Sequence, residues 1–275
     1  MNLPNYSVLM SVYKSDVAEY FQVSMDAMLH QTHKPSEIVL VQDGPINDQL
    51  KVLINKYSEG NPSLIKLFVF EENQGLGKVL AFGVEKCTNE YIARMDADDY
   101  CMPDRCQKEL EYMVSHPEID CVGTNVEEFY GDTSNIVAHV VLPETHEQIW
   151  KFAKKRNPIR HPSLLYKKSA VLRSGNYRHL RFSQDYSLIV DLMQAGCKAY
   201  NIQEPLTYMR VTHDFYKRRS GSKYFKINYT LNKSFLDQGF FSYTDFIKRT
   251  TAQFISCYMP NSLRQYIYNH LLRKE

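Results

Sequence analysis

"RMDADDYCMPDR", residues 94–105, places four carboxylates in twelve residues, and three of them, Asp96, Asp98 and Asp99, fall within four positions. Directly upstream, "NEYIA" (89–93) reads as a strand entering a core. Carboxylates this close repel one another and resist desolvation. A buried strand that ends on such a cluster therefore calls for a positive charge among the aspartates.

The pattern around this stretch repeats. "YSVLMSVY" (6–13) reads as a buried strand, followed by apolar residues at helical spacing, Val17, Tyr20, Phe21, Met25 and Met28. "SEIVLVQDGP" (36–45) is a strand ending in a turn, "NDQLKVLINKYSEG" (47–60) a helix and "LIKLFVF" (64–70) a third strand. "QGLGKVLAFGVEKC" (74–87) is a glycine-broken turn running into a helix, and "YIARM" (91–95) a fourth strand. "PDRCQKELEYMVSH" (103–116) is a helix with Pro103 at its first position, and "IDCVGTNVEEF" (119–129) a fifth strand. Strands and helices alternating with short links predict an α/β domain, a parallel sheet covered by helices on both faces. In such sheets the ligand sits at the carboxyl ends of the strands. Three polar clusters fall at those ends: Tyr13 to Asp16, Asp43 with Gly44, and Asp96 to Asp99. Like charges at one edge suggest a bound cation, and a cation suggests a phosphorylated ligand.

After residue 130 the pattern loosens. "NIVAHVVLP" (135–143) reads as a strand, "THEQIWKFAKKR" (145–156) as a helix capped by Thr145, and "NPIRHPSLLY" (157–166) as loop then strand. "FSQDYSLIVDLMQAG" (182–196) is a helix ending at Gly196, and "KAYNI" (198–202) and "LTYMRV" (206–211) are two strands. Beyond Gly221 the chain reads as two or three amphipathic helices. The expected organisation is a catalytic-type domain over residues 1–221 and a helical extension over 222–275.

Composition bounds the rest. The chain has 275 residues with a net charge of +2, 44% apolar and 23% charged. From Arg210 onward there are 12 Lys/Arg against 4 Asp/Glu, so the preceding residues carry about −6 (2 − 8). That tail also holds 14 of the 34 Tyr and Phe residues. The six cysteines form no CxxC pair, which argues against zinc. "MNLPNYSVLMSVY" has no basic leader and no long apolar run, and no stretch approaches the roughly 20 apolar residues of a spanning helix, so a cytoplasmic protein with free thiols is expected.

Taken in order, the clusters resemble the family 2 glycosyltransferases with the GT-A fold, over roughly residues 5 to 213. The matching segments are "SVLMSVYKSD" (7–16), "VLVQDGP" (39–45), "ENQGLGKVLAFGV" (72–84), "RMDADD" (94–99) followed by "MPDR", and "SQDYSL" (183–188). Within the family, "LPETHEQIWKFAKKR" (142–156) and "NPIRHPSLLYKKSAVLRSGNY" (157–177) look like the bacterial exopolysaccharide transferases of the amylovoran type. Departures are Gln42 and Pro45, where many relatives read D-D-G-S, and Gln184, where the family has an acid before its aspartate.

The resemblance implies transfer of a sugar from a nucleoside diphosphate, a UDP-sugar above all, to an acceptor hydroxyl. A divalent cation, Mn²⁺ or Mg²⁺, would neutralise the leaving diphosphate. Asp98 is the implied metal ligand. Asp96 touches the ribose or reaches the metal through water, Asp99 orients the sugar or the metal's water shell, and His213 stands where some relatives place a histidine ligand. Asp43 with Gly44 resembles the uracil-binding corner, Tyr13 flanks the base, and Asp16, Asn73, Lys78 and Arg210 line the donor. Lys217, Arg218 and Arg219 join Arg210 as diphosphate clamps. Asp185 is the catalytic base of an inverting transfer, and His161 and Gln184 face the acceptor. Bland alternatives stay open: Tyr13 as a core lid, Lys78 and the basic run as solvated surface, Asp99 as a turn cap, Asp185 as a helix cap, and His161 as a satisfied structural histidine.

The expected acceptor is a saccharide, plausibly on undecaprenyl diphosphate, with the basic aromatic tail resting on the cytoplasmic face of the inner membrane or pairing with a second copy. No nucleic-acid partner is expected. The rivals are a nucleotidyltransferase, whose glycine-rich basic N-terminal loop "SVYKSD" does not supply, and a sugar-nucleotide-binding module without transferase activity, which would have no use for both Asp98 and Asp185.

Overall fold

A computed structural model describes residues 3–212 and 220–260. One nine-stranded sheet runs through it, in the order β3 (Ile65–Phe70), β2 (Glu37–Asp43), β1 (Tyr6–Tyr13), β4 (Tyr91–Met95), β8 (Leu165–Lys167), β6 (Ile119–Phe129), β9 (Lys198–Arg210) and β5 (Tyr100–Cys101), with β7 (Ile136–Val140) paired to β6. The strands β3, β2, β1 and β4 are parallel, and Tyr13 lies opposite Asp43.

Period-two alternation splits the core into two layers. Leu9, Val39, Val41 and Ile92 face one layer, with α3 (Leu76–Lys86), α5 (His146–Ala153), α6 (Lys168–Arg173) and α7 (Gln184–Gln194). Val8, Met10, Ile38, Leu40 and Ala93 face the other, with α1 (Ala18–Leu29), α2 (Asp48–Gly60) and α4 (Arg105–Ser115). Local rules set several ends. Thr145 and Gln148 form a capping box on α5. Gly196, at φ +80°, donates to the Met193 carbonyl while Cys197 donates to that of Leu192, the Schellman closure of α7.

Two expectations are corrected, and two features lie beyond the sequence reading. The fifth sequence strand, β6, does not sit beside β4: β8 lies between them, antiparallel to both. Strand direction has no local sequence signature, so "LLY" could be read as a strand but not placed. "KAYNI" and "LTYMRV" form one strand, β9, because the register with β6 shifts at Asn125, opposite Pro205, and the irregularity absorbs the proline. The two-residue β5 was missed. Pro103 precedes α4 rather than opening it: Asp104 is the cap, and the Pro103 carbonyl accepts from Thr32 at 2.7 Å.

The remaining helices, α8 (Gly221–Asp237) and α9 (Tyr243–Tyr258), pack on α5 and α7. Phe235 meets Tyr186 edge-on at 5.2 Å and Phe240 meets Trp150 at 5.2 Å. The Lys154 ammonium lies 3.8 Å from the Phe240 ring centre. Leu231, Phe235, Phe240 and Phe241 belong to the same buried cluster as α3 and α7. Among the described residues no helix is long and apolar enough to cross a membrane.

Candidate active site

The carboxyl ends of β2, β1 and β4 form a continuous polar edge. At the end of β2, Gly44 turns the chain at φ +80°, a conformation open to glycine, and a Cβ there would stand 2.6 Å from the Asn73 nitrogen. The Asp43 carboxylate, nearly buried, draws the 73–75 turn onto β2: it accepts from Asn73 Nδ2 at 2.8 Å, Gln74 N–H at 2.6 Å and Gly75 N–H at 3.0 Å. Asp43 thus holds the turn that opens α3. Lys78, exposed on that helix, donates to Gln74 Oε1 at 2.5 Å. Gly77 packs against the Arg178 carbonyl, which leaves no room for a Cβ.

Beside it, β1 ends on Tyr13, whose N–H donates to Asp16 Oδ2 at 2.9 Å. Burial, opposed by that N–H and reinforced by the charges of Asp98 and Asp96, pushes the Asp16 carboxyl up to about 7. The end of β4 carries the three clustered aspartates. The positive charge that the sequence called for is there within the chain: Arg94, fully buried, donates to Asp96 Oδ1 through Nη2 and to the Leu9 carbonyl through Nη1 at 3.3 Å. Asp99 turns inward. Its Oδ1 accepts the Arg210 N–H at 2.7 Å, and burial, with Asp98 and Asp96 beside it, holds its carboxyl well above the usual carboxylate range. Arg210 is committed to this turn: Nε donates to the Asp98 carbonyl at 2.9 Å, Nη1 to that of Gly131, and the guanidinium stacks 3.7 Å from the Tyr20 ring centre. In this arrangement Arg210 braces the aspartate turn.

Across the sheet, α7 begins at Gln184 after Ser183 in a left-handed conformation (φ +61°), which puts Asp185 in the first helical turn. Its Oδ2 accepts from Asn157 Nδ2 at 2.7 Å. His161, buried, has its Nε2 3.1 Å from the Tyr177 hydroxyl. Burial first and then Arg94 lower its pKa to about 4, against the opposing charges of Asp96 and Asp185, so the imidazole is neutral at pH 7. Asp96 and Asp185 both act on His161 and on Tyr177, which places the β4 end and the α7 start around one buried pair of rings. Gln184 is buried, and its Oε1 has no hydrogen-bond partner among the described residues.

Among the described residues no three His, Cys, Asp or Glu side chains converge as a preformed metal site. The oxygen donors suit a hard cation nonetheless. Mg²⁺ and Mn²⁺ take one or two carboxylates and complete their shells with phosphates and water. Asp98 and the 29%-exposed Asp96 carboxylate are such a set. His213, with Lys217, Arg218 and Arg219, lies outside the described residues.

The sequence reading missed Arg94, Asn157 and Tyr177 as parts of the site. Arg94 had a signal: it is a charge inside an apolar strand, two residues before Asp96. Asn157 and Tyr177 had none, since each is recruited by tertiary packing.

The comparisons with known proteins agree with this fold. Residues 7–176 match the family described as Glycosyl transferase family 2. The amylovoran biosynthesis glycosyltransferase AmsE of Erwinia amylovora is 34% identical over 96% of this chain and 97% of its own. The UDP-Gal:alpha-D-GlcNAc-diphosphoundecaprenol beta-1,3-galactosyltransferase of Escherichia coli is 30% identical over 98% of each chain. Among solved structures, S. aureus TarS 1-349 in complex with UDP-GlcNAc superposes with a TM-score of 0.65 at 14% identity, over 98% of this chain and 73% of that one. The mannosyltransferase PcManGT of Pyrobaculum calidifontis, in complex with GDP-Man and Mn2+, gives 0.62 at 15% identity, over 96% and 72%. The fold is GT-A, and a chain that carries this family's sequence pattern over most of its length, with a carboxylate edge at the strand ends, is a glycosyltransferase belonging to glycosyl transferase family 2.

Proposed function

We propose that this glycosyltransferase moves a hexose or N-acetylhexosamine from a UDP-sugar to a saccharide acceptor, with inversion, in bacterial surface polysaccharide assembly. The observation that carries this reading is the division of carboxylates. Asp96, Asp98 and Asp99 cluster at the donor edge, while Asp185 stands at the head of α7, held by Asn157. One lone carboxylate opposite a diphosphate edge suits a single displacement: Asp185 takes the proton of the acceptor hydroxyl as its oxygen attacks the anomeric carbon, and the diphosphate leaves from the other face. Asn157 fixes the orientation of that base. Asp98 and Asp96, with His213 as a further ligand, would hold Mn²⁺ or Mg²⁺, which would neutralise the charge that develops on the diphosphate. Tyr13 and the Asp43–Asn73 corner border the nucleoside, and Lys78 and Asp16 the phosphates and ribose. Buried His161 and Gln184 shape the acceptor side.

The acceptor class is supported by the Escherichia coli relative, whose name specifies a diphosphoundecaprenol-linked sugar. A lipid-linked acceptor fits the outer face of α9, where Tyr243, Ile247, Phe254 and Tyr258 are exposed at one helical stripe and Lys223, Lys226 and Lys248 are exposed on the same two helices. We take this face to rest on anionic lipid at the cytoplasmic side of the inner membrane, each lysine contributing about 1 kcal/mol.

Calorimetric titration of UDP with and without Mn²⁺ tests the donor side: Asp98→Asn should abolish the Mn²⁺ enhancement, and an unchanged enhancement would refute the assignment. Asp185→Asn should keep UDP binding within a few-fold and lower turnover by roughly 10²–10⁴. Equal losses in binding and rate would instead favour a structural Asp185.

A further inference from the structure

We propose that Arg94 is a positioning residue of the transfer reaction, aiming the Asp96 carboxylate at the metal-bound donor; the inference rests on the donor site assigned above. Arg94 is fully buried in the middle of the sheet, between β1 and β8, with its backbone N–H donating to Leu164 at 2.7 Å. Burying a guanidinium costs several kcal/mol unless it is paired. Its guanidinium lies among His161, Tyr166 and Tyr177, whose protonation it biases. The side chain is also incompletely satisfied: Nε has no partner among the described residues, and Nη1 makes only a long 3.3 Å bond to the Leu9 carbonyl. Among the described residues its one ion pair is to Asp96 Oδ1.

That contact has a directional consequence. Arg94 lies on β4 and Asp96 just past its end, two residues on, so the planar guanidinium reaches the Asp96 carboxylate along the chain's own direction. One carboxylate oxygen is tied down in a side chain that stays 29% exposed. An Asp96 without Arg94 would sit beside Asp98 and the buried Asp99 and lose the one ion pair that it makes among the described residues. The pair therefore fixes the direction in which Asp96 presents its carboxylate.

The test measures UDP affinity in Mn²⁺ and in EDTA for the full chain carrying Arg94→Met, Arg94→Lys, Asp96→Asn and the Arg94→Met/Asp96→Asn pair. The expected result is a ten-fold or greater fall in the Mn²⁺-over-EDTA affinity ratio for Arg94→Met, partial recovery for Arg94→Lys, and less than two-fold further loss when Arg94→Met is added to Asp96→Asn. A merely structural arginine would weaken binding equally in Mn²⁺ and EDTA, or equally in both backgrounds, and either result overturns the proposal. Where Arg94→Met does not fold, the ratio for Arg94→Lys decides: a wild-type ratio overturns the positioning role, since Lys keeps the charge and loses the fork. An Asp96→Asn variant that binds UDP with Mn²⁺ as the wild type does refutes the donor-site reading itself, a different failure.

Discussion

Asp99 accepts the backbone N–H of Arg210 at 2.7 Å, joining the aspartate turn to the far end of β9 across 111 residues of chain. The carboxyl is buried, and burial with Asp98 and Asp96 beside it pushes it above the usual carboxylate range. Asp99→Asn presents the same oxygen and should change unfolding free energy by less than about 1 kcal/mol, whereas Asp99→Ala strands a buried N–H and should cost about 1–3 kcal/mol. Urea unfolding at pH 7 separates the two. Equal costs would show that the carboxamide does not replace the carboxyl in this bond.

Gly44 couples the end of β2 to the 73–75 turn. Alanine there meets both a φ of +80° and a 2.6 Å approach to the Asn73 nitrogen. Gly44→Ala should destabilise by about 2 kcal/mol or more and loosen UDP binding, because the turn that Asp43 holds must move. Thermal unfolding with and without UDP reads both effects. A variant of wild-type stability would show that the corner rearranges at no cost.

The C-terminal helices are anchored by aromatic packing more than by charge. Phe240 is buried against Trp150, Phe235 and Phe241. Phe240→Ala should cost about 3–5 kcal/mol. Lys154→Met, which removes only the cation over that ring, should cost about 1 kcal/mol or less. Chemical denaturation of both variants checks the ranking, and a larger loss for Lys154→Met would reverse it.

At the opposite end of the sheet, Glu37 collects Ser7 Oγ at 2.6 Å, Thr88 N–H at 2.8 Å, Thr88 Oγ1 at 3.0 Å and the Lys66 ammonium. Burial pushes its carboxyl up, but these donors outweigh burial and hold it below the usual glutamate range. A carboxyl depressed in the folded state contributes stability above its unfolded value of about 4.5, and that contribution is lost as pH falls through the folded value. Glu37→Gln should therefore be less stable than wild type at pH 7 by about 1–3 kcal/mol, with the gap narrowing below pH 4.5. A gap independent of pH would place the effect in packing alone.

Much of this protein is written locally. The alternation of Val8, Leu9 and Met10 between two cores, the 3.6-period faces of the flanking helices, the glycine stop at Gly196 and the cap at Thr145 follow from short-range periodicity and sterics, which any window of the chain displays. So does the placement of Asp43, Asp96 and Asp98 at strand ends, since a parallel α/β unit delivers the end of every such strand to one edge. What the tertiary structure alone decided is pairing. The insertion of β8 between β4 and β6, the single long β9 and the bracing of Asp99 by Arg210 depend on which strands meet, and hydrogen bonding between distant strands leaves no trace in composition or period. The charge balance of the site belongs there too. The sequence called for a cation among the aspartates, and Arg94 stood in the quoted stretch, but only the sheet, by closing over its guanidinium and excluding water, makes that arginine and Asp96 each other's principal counter-ion.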